Sequence, residues 1–350
     1  MTRVPVTRNP FKPMSPKPKI LVTGACGGIG PGLTIALRSL YGQDSVIAAD
    51  ERSLASGQGP CRQLDLLHKT MLSDLIRQEQ ITQICLLPGN CAGGPGQGGP
   101  SDWEQHVTSL VHVLQAASEH ALDKVFWPSS NEVFGPGQPR HSCPQDTANR
   151  PVSVCGISKL TGEYWCNHYF EKHGLDVRSI RLPGLIFPSV TSPGDLSSYA
   201  AEMIRHALDD KPYTCYLRED TCLPAIYLPD TVRAVLMLMD APASKLRVRT
   251  AYNLAGMSFS PCDLAAEIRK YLPGFRPGYE PDSRQALANN LPVSVDDQAA
   301  RRDWLWRPAF SLSTMVADML KQGHPLQKVP EPVPAFSFDD QYCFTRIDEA

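Results

Sequence analysis

Short apolar runs alternate with segments of helical periodicity through the first half of the chain. The apolar runs predict buried strands, because a strand that is covered on both faces is apolar without alternation. The first helix should follow residue 30, with Leu33, Ile35, Ala36 and Leu40 on one face. This order of strands and helices predicts parallel strands joined by right-handed crossovers. The predicted strands are 20–22, 45–49, 81–87, 124–130 and 176–182, and the further helices are 69–77, 105–120 and 157–173.

The alternation breaks down after about residue 183, where prolines and glycines cluster and strands become sparse. This change predicts a smaller unit that lies over a binding crevice. We therefore divide the chain into a disordered leader (1–18), a first domain (19–183), a second lobe (184–323) and an extended tail (324–350). Some segments of the lobe are expected to return to the first domain. The leader is basic but rich in proline, which argues against the amphipathic helix of a transit peptide.

A glycine-rich run directly follows the first predicted strand and opens the first helix. Its spacing is G-x-x-G-x-x-G, formed by Gly24, Gly27 and Gly30, with Gly28 and Ile29 before the last glycine. In such a turn one glycine permits the tight bend, one admits a pyrophosphate close to the backbone, and one lets helix and strand pack closely. The N-terminus of the helix adds partial positive charge for the phosphates. The run therefore predicts a dinucleotide site.

Asp50 ends the second predicted strand, twenty residues beyond Gly30. A carboxylate there accepts hydrogen bonds from the ribose hydroxyls of adenosine and repels a 2′-phosphate. Arg52 lies nearby, but two acidic residues precede it, so the pattern favours NAD over NADP. We predict an α/β fold in which residues 19–183 form an NAD-binding Rossmann domain. Its doubly wound parallel sheet would carry a smaller C-terminal α/β substrate-binding lobe.

Composition excludes several classes of protein. A net charge of -2 with 20% charged residues provides no basic face for nucleic acid. No apolar run approaches the ~20 residues of a membrane span. The 11 cysteines lie singly, without a CxxC pair, which indicates reduced thiols. We expect a cytoplasmic protein, with a mitochondrial location as the alternative.

Further motifs carry a resemblance to a known family. The predicted strand 124–130 ends in Ser129 and Ser130, and Cys155 and Lys159 follow in the run Cys-Gly-Ile-Ser-Lys. This arrangement resembles the Ser…Tyr-x-x-x-Lys constellation of extended short-chain dehydrogenases, the NAD-dependent epimerase/dehydratase superfamily, with Cys155 in place of the tyrosine. Over roughly 19–322 the chain is similar to the short-chain type of L-threonine 3-dehydrogenase. The stretches that carry this similarity include 162–166, 176–186, 220–224, 257–261, 284–285 and 296–301.

The resemblance implies a role for each residue of the site. In that family NAD accepts hydride from the β-carbon of threonine while the tyrosine takes the hydroxyl proton. Ser130 would bind the reacting oxygen, and Lys159 would hold the nicotinamide ribose. The resemblance also places Asp65, together with Leu66, at the adenine. It assigns substrate binding to Ser129, Gly184, Ser197 and Ser198.

Cys155 is the main departure from the family pattern. A thiol has a suitable ordinary pKa, about 8.5 against about 10 for tyrosine. Its reach is shorter, because a phenol hydroxyl stands a whole ring further from the backbone. Proton transfer would then pass through water or another side chain, or Cys155 would only fill space. A nucleophilic Cys155 that forms a covalent intermediate is a further alternative.

Two other segments also depart from the family. Residues 87–96 form a loop rich in proline and glycine where the family has an Ala/Ser/Leu-rich segment. Residues 193–199 keep hydroxyls at Ser197 and Ser198 but lack the acidic residue beside Tyr199. The cofactor half therefore matches while three parts of the substrate half have changed, which indicates a site modified for another substrate or step.

Other kinds of active site find no support in the sequence. His106, His112 and His120 share one predicted helix, but none are four residues apart, so we expect no metal site. A hydrolase of the nucleophile-elbow type is not expected either, because no G-x-S-x-G motif occurs.

The sequence thus predicts an NAD-dependent oxidoreductase that acts on a β-hydroxy-α-amino acid or a related small polar alcohol. Two alternatives stay open: an epimerase- or lyase-like enzyme that retains its NAD, and a non-catalytic NAD-binding protein. The family relationship implies a homodimer that pairs the helices containing His112 and Trp165. The expected partner is a small-molecule substrate, with no nucleic acid and no membrane.

Overall fold

The computed structural model describes residues 17–53, 59–87, 100–188 and 196–323. Within these ranges seven strands form one sheet in the order β3-β2-β1-β4-β5-β6-β10, and all of its pairings are parallel. The strands in chain order are β1 (Ile20–Thr23), β2 (Val46–Asp50), β3 (Cys61–Gln63), β4 (Gln83–Leu86), β5 (Lys124–Ser130), β6 (Val177–Leu182), β7 (Gly184–Ile186), β8 (Thr214–Cys215), β9 (Leu223–Tyr227), β10 (Tyr252–Asn253), β11 (Met257–Phe259) and β12 (Gly278–Tyr279).

Helices cover both faces of this sheet, and the predicted doubly wound Rossmann fold is confirmed. Side chains of α1, α6 and α9 pack on one face, and those of α2, α3 and α4 pack on the other. The helices are α1 (Gly30–Tyr41), α2 (Lys69–Glu79), α3 (Pro100–Glu119), α4 (Val154–His173), α5 (Ser198–Leu208), α6 (Leu228–Asp240), α7 (Pro261–Arg269), α8 (Arg284–Ala288), α9 (Gln298–Trp304) and α10 (Leu312–Gly323).

The smaller lobe has a core of its own. Two small sheets, β11-β9-β7 and β12-β8, carry apolar side chains that pack with those of α5, α7 and α10. The lobe begins directly where β6 ends, because β7 starts at Gly184, two residues after Leu182. This short connection keeps the lobe over the carboxyl edge of the large sheet, where parallel α/β proteins bind their ligands.

Later parts of the chain return to the large sheet. Tyr252 of β10 pairs with Ile180 of β6, and α6 packs on the same face as α1. The predicted division at residue 183 stays a prediction. The predicted tail lies outside the described residues, as does the leader except for residues 17 and 18.

The prediction that Ile35 and Leu40 lie on the buried face of α1 is wrong. Leu33, Ala36 and Leu37 are buried, but Ile35 is 58% exposed and Leu40 is 40% exposed. The 3.6-residue period explains Ile35, because two residues of separation from Leu33 turn a side chain to the opposite side. Leu40 lies in the last turn of α1, where the apolar face ends.

Glu163 on α4 and Arg181 on β6 form a buried ion pair. Nε and Nη2 of Arg181 lie 2.9 and 2.8 Å from the two carboxylate oxygens. Ser129 on β5 donates its hydroxyl to the same Glu163 carboxylate at 2.6 Å. Nη1 of Arg181 donates to the carbonyl oxygen of Gln145 and to Oδ1 of Asn253 on β10, both at 3.1 Å. One network thus joins α4, β5, β6 and β10.

A second buried arginine, Arg178 on β6, closes the end of α6. Its Nη1 donates to the carbonyl oxygens of Leu238, Met239 and Ala241 at 2.6, 3.0 and 2.7 Å. Its Nη2 lies 2.6 Å from Oδ2 of Asp176, whose Oδ1 also pairs with Arg249. The last carbonyls of a helix have no partner within the helix, so this arginine supplies what the backbone lacks.

None of the helices in the described ranges is both long enough and apolar enough to cross a membrane.

We predict that Arg178→Met lowers the free energy of unfolding by about 2–4 kcal/mol, because it leaves the buried carbonyls of Leu238 and Ala241 without their side-chain donor, while Lys124 still donates to that of Met239. Chemical denaturation followed by circular dichroism would measure this change. Arg62→Met is the matched control, since Arg62 forms a more exposed pair with Glu79 and should cost less than about 1 kcal/mol. Equal effects of the two substitutions would contradict a capping role for Arg178.

Candidate active site

Two glycines allow the loop after β1 to pack closely against its neighbours. Gly24 has a φ of +63°, and a Cβ atom there would lie 2.3 Å from the carbonyl oxygen of Leu87. At Gly30 a Cβ atom would lie 2.3 Å from the carbonyl oxygen of Gly24. A larger side chain at Gly24 would push the loop away from Leu87, and one at Gly30 would push α1 away from the end of β1, so both glycines are required for the fold of this loop.

The middle of the same loop fits the pyrophosphate of a dinucleotide. Gly28 has a φ of +55°, and nothing lies within 4 Å of where its Cβ atom would be. The next residue, Ile29, is the N-cap of α1 and offers no side-chain hydrogen bond to the first turn. The N-terminal amides of a helix without a side-chain cap favour an anionic ligand. Gly27 lies beside Arg52, whose Nη2 would be 3.3 Å from a Cβ atom at that position.

Asp50 ends β2 next to this loop, as predicted. Its Oδ2 accepts from the backbone N–H of Cys26 at 2.9 Å, and its Oδ1 accepts from N and Nε of Arg52, both at 3.1 Å. Burial alone would raise the pKa of Asp50, but these hydrogen bonds and the Arg52 charge outweigh it and hold the pKa below its ordinary value. The carboxylate is therefore ionised at neutral pH, as an acceptor for ribose hydroxyls must be.

Asp65 and Leu66 lie in the turn that follows β3. Oδ1 of Asp65 accepts from the backbone N–H of Leu67 at 2.8 Å, and Oδ2 lies 3.2 Å from Nδ1 of His68. The carbonyl oxygen of Leu66 lies 2.9 Å from Nδ1 of His112 on α3. Asp65 is thus held by contacts within the turn and Leu66 by a contact with α3, and their assignment to the adenine stays a prediction.

The two serines at the end of β5 have different surroundings. Ser130 Oγ accepts from the backbone N–H of Glu132 at 3.2 Å, which leaves its own hydrogen to donate to another group. Ser129 instead donates its hydroxyl to the buried Glu163. The structure therefore uses Ser129 to join β5 to α4, and its predicted contact with substrate has no support from this geometry.

The first turn of α4 lies against the turn 131–133 that follows β5. Ser153 is the N-cap, and its hydroxyl donates to the carboxylate of Glu132. Gly156 permits the contact, because a Cβ atom there would lie 2.5 Å from the carbonyl oxygen of Glu132. Cys155 lies between Ser153 and Gly156 in the chain and is half-buried. This packing brings Cys155 to the same edge of the sheet as Ser130.

Lys159 follows one helical turn after Cys155 and reaches β5. It is only 7% exposed, and its Nζ donates to the carbonyl oxygen of Pro128 at 2.7 Å. The same nitrogen lies 4.8 Å from the ring centre of Trp127, a favourable position for a cation over an aromatic face. Ser130, Cys155 and Lys159 therefore come from adjoining elements at one edge of the sheet, as the sequence predicts.

A small cavity of about 40 Å³ lies where the lobe meets this edge. Gly184 and Ser197, two of the predicted substrate residues, line it. Ser197 Oγ donates to the carbonyl oxygen of Leu185 at 2.8 Å. Ser198 lies in the lobe core instead, where its hydroxyl is 2.8 Å from the hydroxyl of Tyr216. The substrate assignments of these residues stay predictions.

Asn131 also lines this cavity, and the sequence reasoning missed it. It follows Ser130 directly and is only 4% exposed. No sequence motif distinguishes an asparagine that lines a binding cavity from an asparagine in an ordinary turn. The only signal in the sequence is a polar side chain placed between a buried strand and the apolar Val133 and Phe134.

Comparison with known proteins agrees with this geometry. Residues 20–255 match the model described as the NAD dependent epimerase/dehydratase family. The GalE-like L-threonine dehydrogenase from Cupriavidus necator, in its holo form, is 43% identical with a TM-score of 0.85, and the match covers 87% of this chain and 99% of that one.

Two curated relatives are similar over most of their length. The mitochondrial L-threonine 3-dehydrogenase of Sus scrofa is 35% identical over 308 residues, which is 87% of this chain and 82% of the relative. An uncharacterized epimerase/dehydratase of Staphylococcus saprophyticus is 34% identical over 307 residues, which is 86% of this chain and 96% of the relative. The family resemblance inferred from the sequence is confirmed, and so is the NAD cofactor.

We predict that Asp50→Asn raises the Kd for NAD about tenfold, because a charged acceptor is lost from the ribose site. Titration calorimetry would measure it. Asp74→Asn is the control, since Asp74 forms an exposed pair with Arg77 and should leave the Kd unchanged.

The stability of the same variant should depend on pH. Because the folded-state pKa of Asp50 is lowered, its ionised form stabilises the fold fully above the unfolded pKa of about 4, and this contribution is lost as pH falls through the folded value. The deficit of Asp50→Asn against the wild type should therefore be full at pH 7 and shrink below about pH 4. A deficit that grows on acidification would contradict the low pKa.

Proposed function

The chain belongs to the NAD dependent epimerase/dehydratase family, and from that premise we propose that it oxidises a β-hydroxy-α-amino acid or a related small polar alcohol with NAD. The observation that supports this most is the meeting of Ser130, Cys155 and Lys159 at the edge of the sheet. Two of the relatives are named as threonine dehydrogenases, and the match covers 99% of one and 82% of the other. The chain is accordingly an NAD-dependent enzyme of this family, and the oxidation of this class of substrate is the part that we propose.

Each part of the cofactor has a matching group in the chain. Gly27, Gly28 and the N-terminus of α1 would hold the pyrophosphate, and Asp50 would hold the adenosine ribose. Lys159 would donate to the hydroxyls of the nicotinamide ribose, exchanging its hydrogen bond with the Pro128 carbonyl for one with the cofactor. When bound, NAD supplies an acceptor for the hydride that leaves the carbinol carbon.

The alcohol is oriented by Ser130 in this proposal. Its Oγ already accepts from the Glu132 N–H, so the hydroxyl hydrogen is directed to another acceptor. A hydrogen bond to the substrate oxygen fixes the alcohol against the edge of the sheet, and such positioning is a large part of catalysis.

The hydroxyl proton leaves toward Cys155. Its thiol ends one bond beyond Cβ, so a water molecule is needed between the sulfur and the substrate oxygen. A general base that acts directly contributes about 10²–10⁴-fold, and a relay through water contributes less. We therefore propose a slow dehydrogenase in which the thiolate form of Cys155 accepts the hydroxyl proton through one water and becomes the neutral thiol.

Formation of NADH from NAD, followed at 340 nm across a panel of β-hydroxy amino acids, tests the proposal directly. We expect the wild type to oxidise at least one member of the panel. Lys159→Met should abolish turnover and weaken binding of NAD. A wild type that holds NAD through dialysis but oxidises no member would refute the dehydrogenase proposal and favour the epimerase- or lyase-like alternative.

We predict that Cys155→Tyr raises kcat on the order of 10²-fold, because a phenol reaches the substrate oxygen without water. Cys155→Ala is the matched control and should lower kcat below the wild type, while both variants keep the wild-type Kd for NAD. If Cys155→Ala has wild-type kcat, the thiol takes no part in proton transfer and only fills space.

We also propose a homodimer that pairs α3 and α4 of two chains. The support is a set of large side chains exposed on these helices and just before α4: Trp103, Val152, Ile157, Tyr164 and Trp165. Exposed apolar patches of this kind are typical of interfaces.

Sedimentation velocity should give twice the mass of one chain for the wild type. Trp165→Glu should shift the protein to monomer, because it places a charge in an apolar interface. Leu305→Glu is the control, since Leu305 is exposed in the chain's other half. A wild type that sediments as a monomer would refute the dimer.

For location we propose the cytoplasm. Among the described cysteines none forms a disulfide, as expected in a reducing compartment. The bacterial relative supports the same compartment, and the mitochondrial relative from Sus scrofa keeps the mitochondrion as the alternative. Fractionation of cells that express the tagged protein would decide between them.

A further inference from the structure

The cavity beside Ser130 is apolar on almost every side. Its walls include Ile186 and Leu196 before α5, Leu223 on β9, Phe259 on β11 and Leu291 after α8. These side chains come from the lobe, while Asn131 closes the cavity on the side of the large sheet. The cavity therefore has one amide facing a wall of hydrocarbon.

The Asn131 amide is buried without a partner. Neither its Oδ1 nor its Nδ2 forms a hydrogen bond with any residue that the structure describes, and the side chain is 4% exposed. Ser197, which shares the cavity, has its hydroxyl satisfied by the Leu185 carbonyl. Leaving both ends of a buried amide without partners costs free energy, and a ligand that supplies the partners recovers that cost.

The position of Asn131 links this amide to the reaction. Ser130 pairs with Leu182 across β5 and β6, so Asn131 lies beside the start of the segment that leads into Gly184. Gly184 lines the same cavity. A substrate whose alcohol oxygen is bound by Ser130 would thus have its neighbouring groups at Asn131.

We propose that Asn131 is a substrate-binding residue and that the apolar cavity receives a hydrocarbon substituent longer than a methyl group. An amide offers one acceptor and two donors, which complement the ammonium and the carboxylate of an α-amino acid. The cavity volume of about 40 Å³ accommodates about three carbon atoms. The substrate class is therefore a β-hydroxy-α-amino acid with a short branched or linear aliphatic side chain. This inference rests on the proposed dehydrogenase function.

Kinetics with three substrates whose aliphatic substituents are methyl, ethyl and isopropyl test the cavity. We expect kcat/KM to rise from L-threonine through β-hydroxynorvaline to β-hydroxyleucine, with about a tenfold gain for the two added carbons. A preference for L-threonine over both longer substrates would overturn the assignment of the cavity, while its turnover would leave the proposed dehydrogenase intact.

Variants of Asn131 test the amide. Asn131→Leu should lower kcat/KM at least tenfold for all three substrates and raise the Tm, because it removes an unpartnered amide from an apolar site. Asn131→Asp should lower kcat/KM as well, since it places a carboxylate opposite that of the substrate. Asn167→Leu is the matched control on α4 and should leave kcat/KM unchanged. Unchanged kinetics in Asn131→Leu, whatever its Tm, would refute the role of the amide in substrate binding.

A binding measurement separates the two proposals. We expect β-hydroxyleucine to raise the Tm of the wild type in the presence of NADH and to leave the Tm of Asn131→Leu unchanged. If no substrate is oxidised but this difference in binding appears, the proposed function fails and the role of Asn131 stands. If β-hydroxyleucine shifts both proteins equally, the role of Asn131 is refuted.

Discussion

The buried ion pair between Glu163 and Arg181 is the contact on which the rest of the site depends. A carboxylate and a guanidinium removed from water are stable only if their hydrogen bonds are made, and here the network includes the hydroxyl of Ser129 and the amide of Asn253. Because these groups belong to four different elements, none of the elements can shift without breaking a charged hydrogen bond. Lys159 lies one helical turn before Glu163, so the same pair fixes how Lys159 meets β5.

The two sides of the site differ in kind: the cofactor side is tightly packed, and the substrate side contains a polar group without a hydrogen-bond partner among the described residues. On the cofactor side, Gly24 and Gly30 allow backbone contacts so close that no larger side chain fits at either position. On the substrate side, Asn131 carries an amide that the fold leaves unpaired among the described residues. A tightly packed loop at the cofactor and a fixed polar group in an apolar wall at the substrate are both typical of a preorganised enzyme site.

Sequence reasoning predicted the frame of this site well and its substrate side less well. The glycine loop, Asp50 and Lys159 belong to motifs whose spacing follows from the geometry of a strand, a turn and a helix, so their placement could be read from the chain. Ile35 was assigned to the wrong face of α1 because its apolar character was given more weight than the helical period. Ser129 and Ser198 proved to be bonded inside the protein, and Asn131 was missed. Such outcomes depend on which side chains meet across distant segments, and no local pattern contains that information.

The return of β10 to the large sheet has a consequence for how the protein is made. Tyr252 and Asn253 complete the sheet beside β6, and α6 covers one of its faces, although both follow much of the lobe in the chain. A ribosome that has released only the first 183 residues has produced a sheet with an exposed edge and Arg178 without the carbonyls of α6. The nascent chain must therefore wait for about seventy further residues before its large sheet is complete, and until α9 has been made before the face that α1 and α6 share is fully covered. In this protein the half that binds the cofactor is finished only after much of the half that binds the substrate has been synthesised.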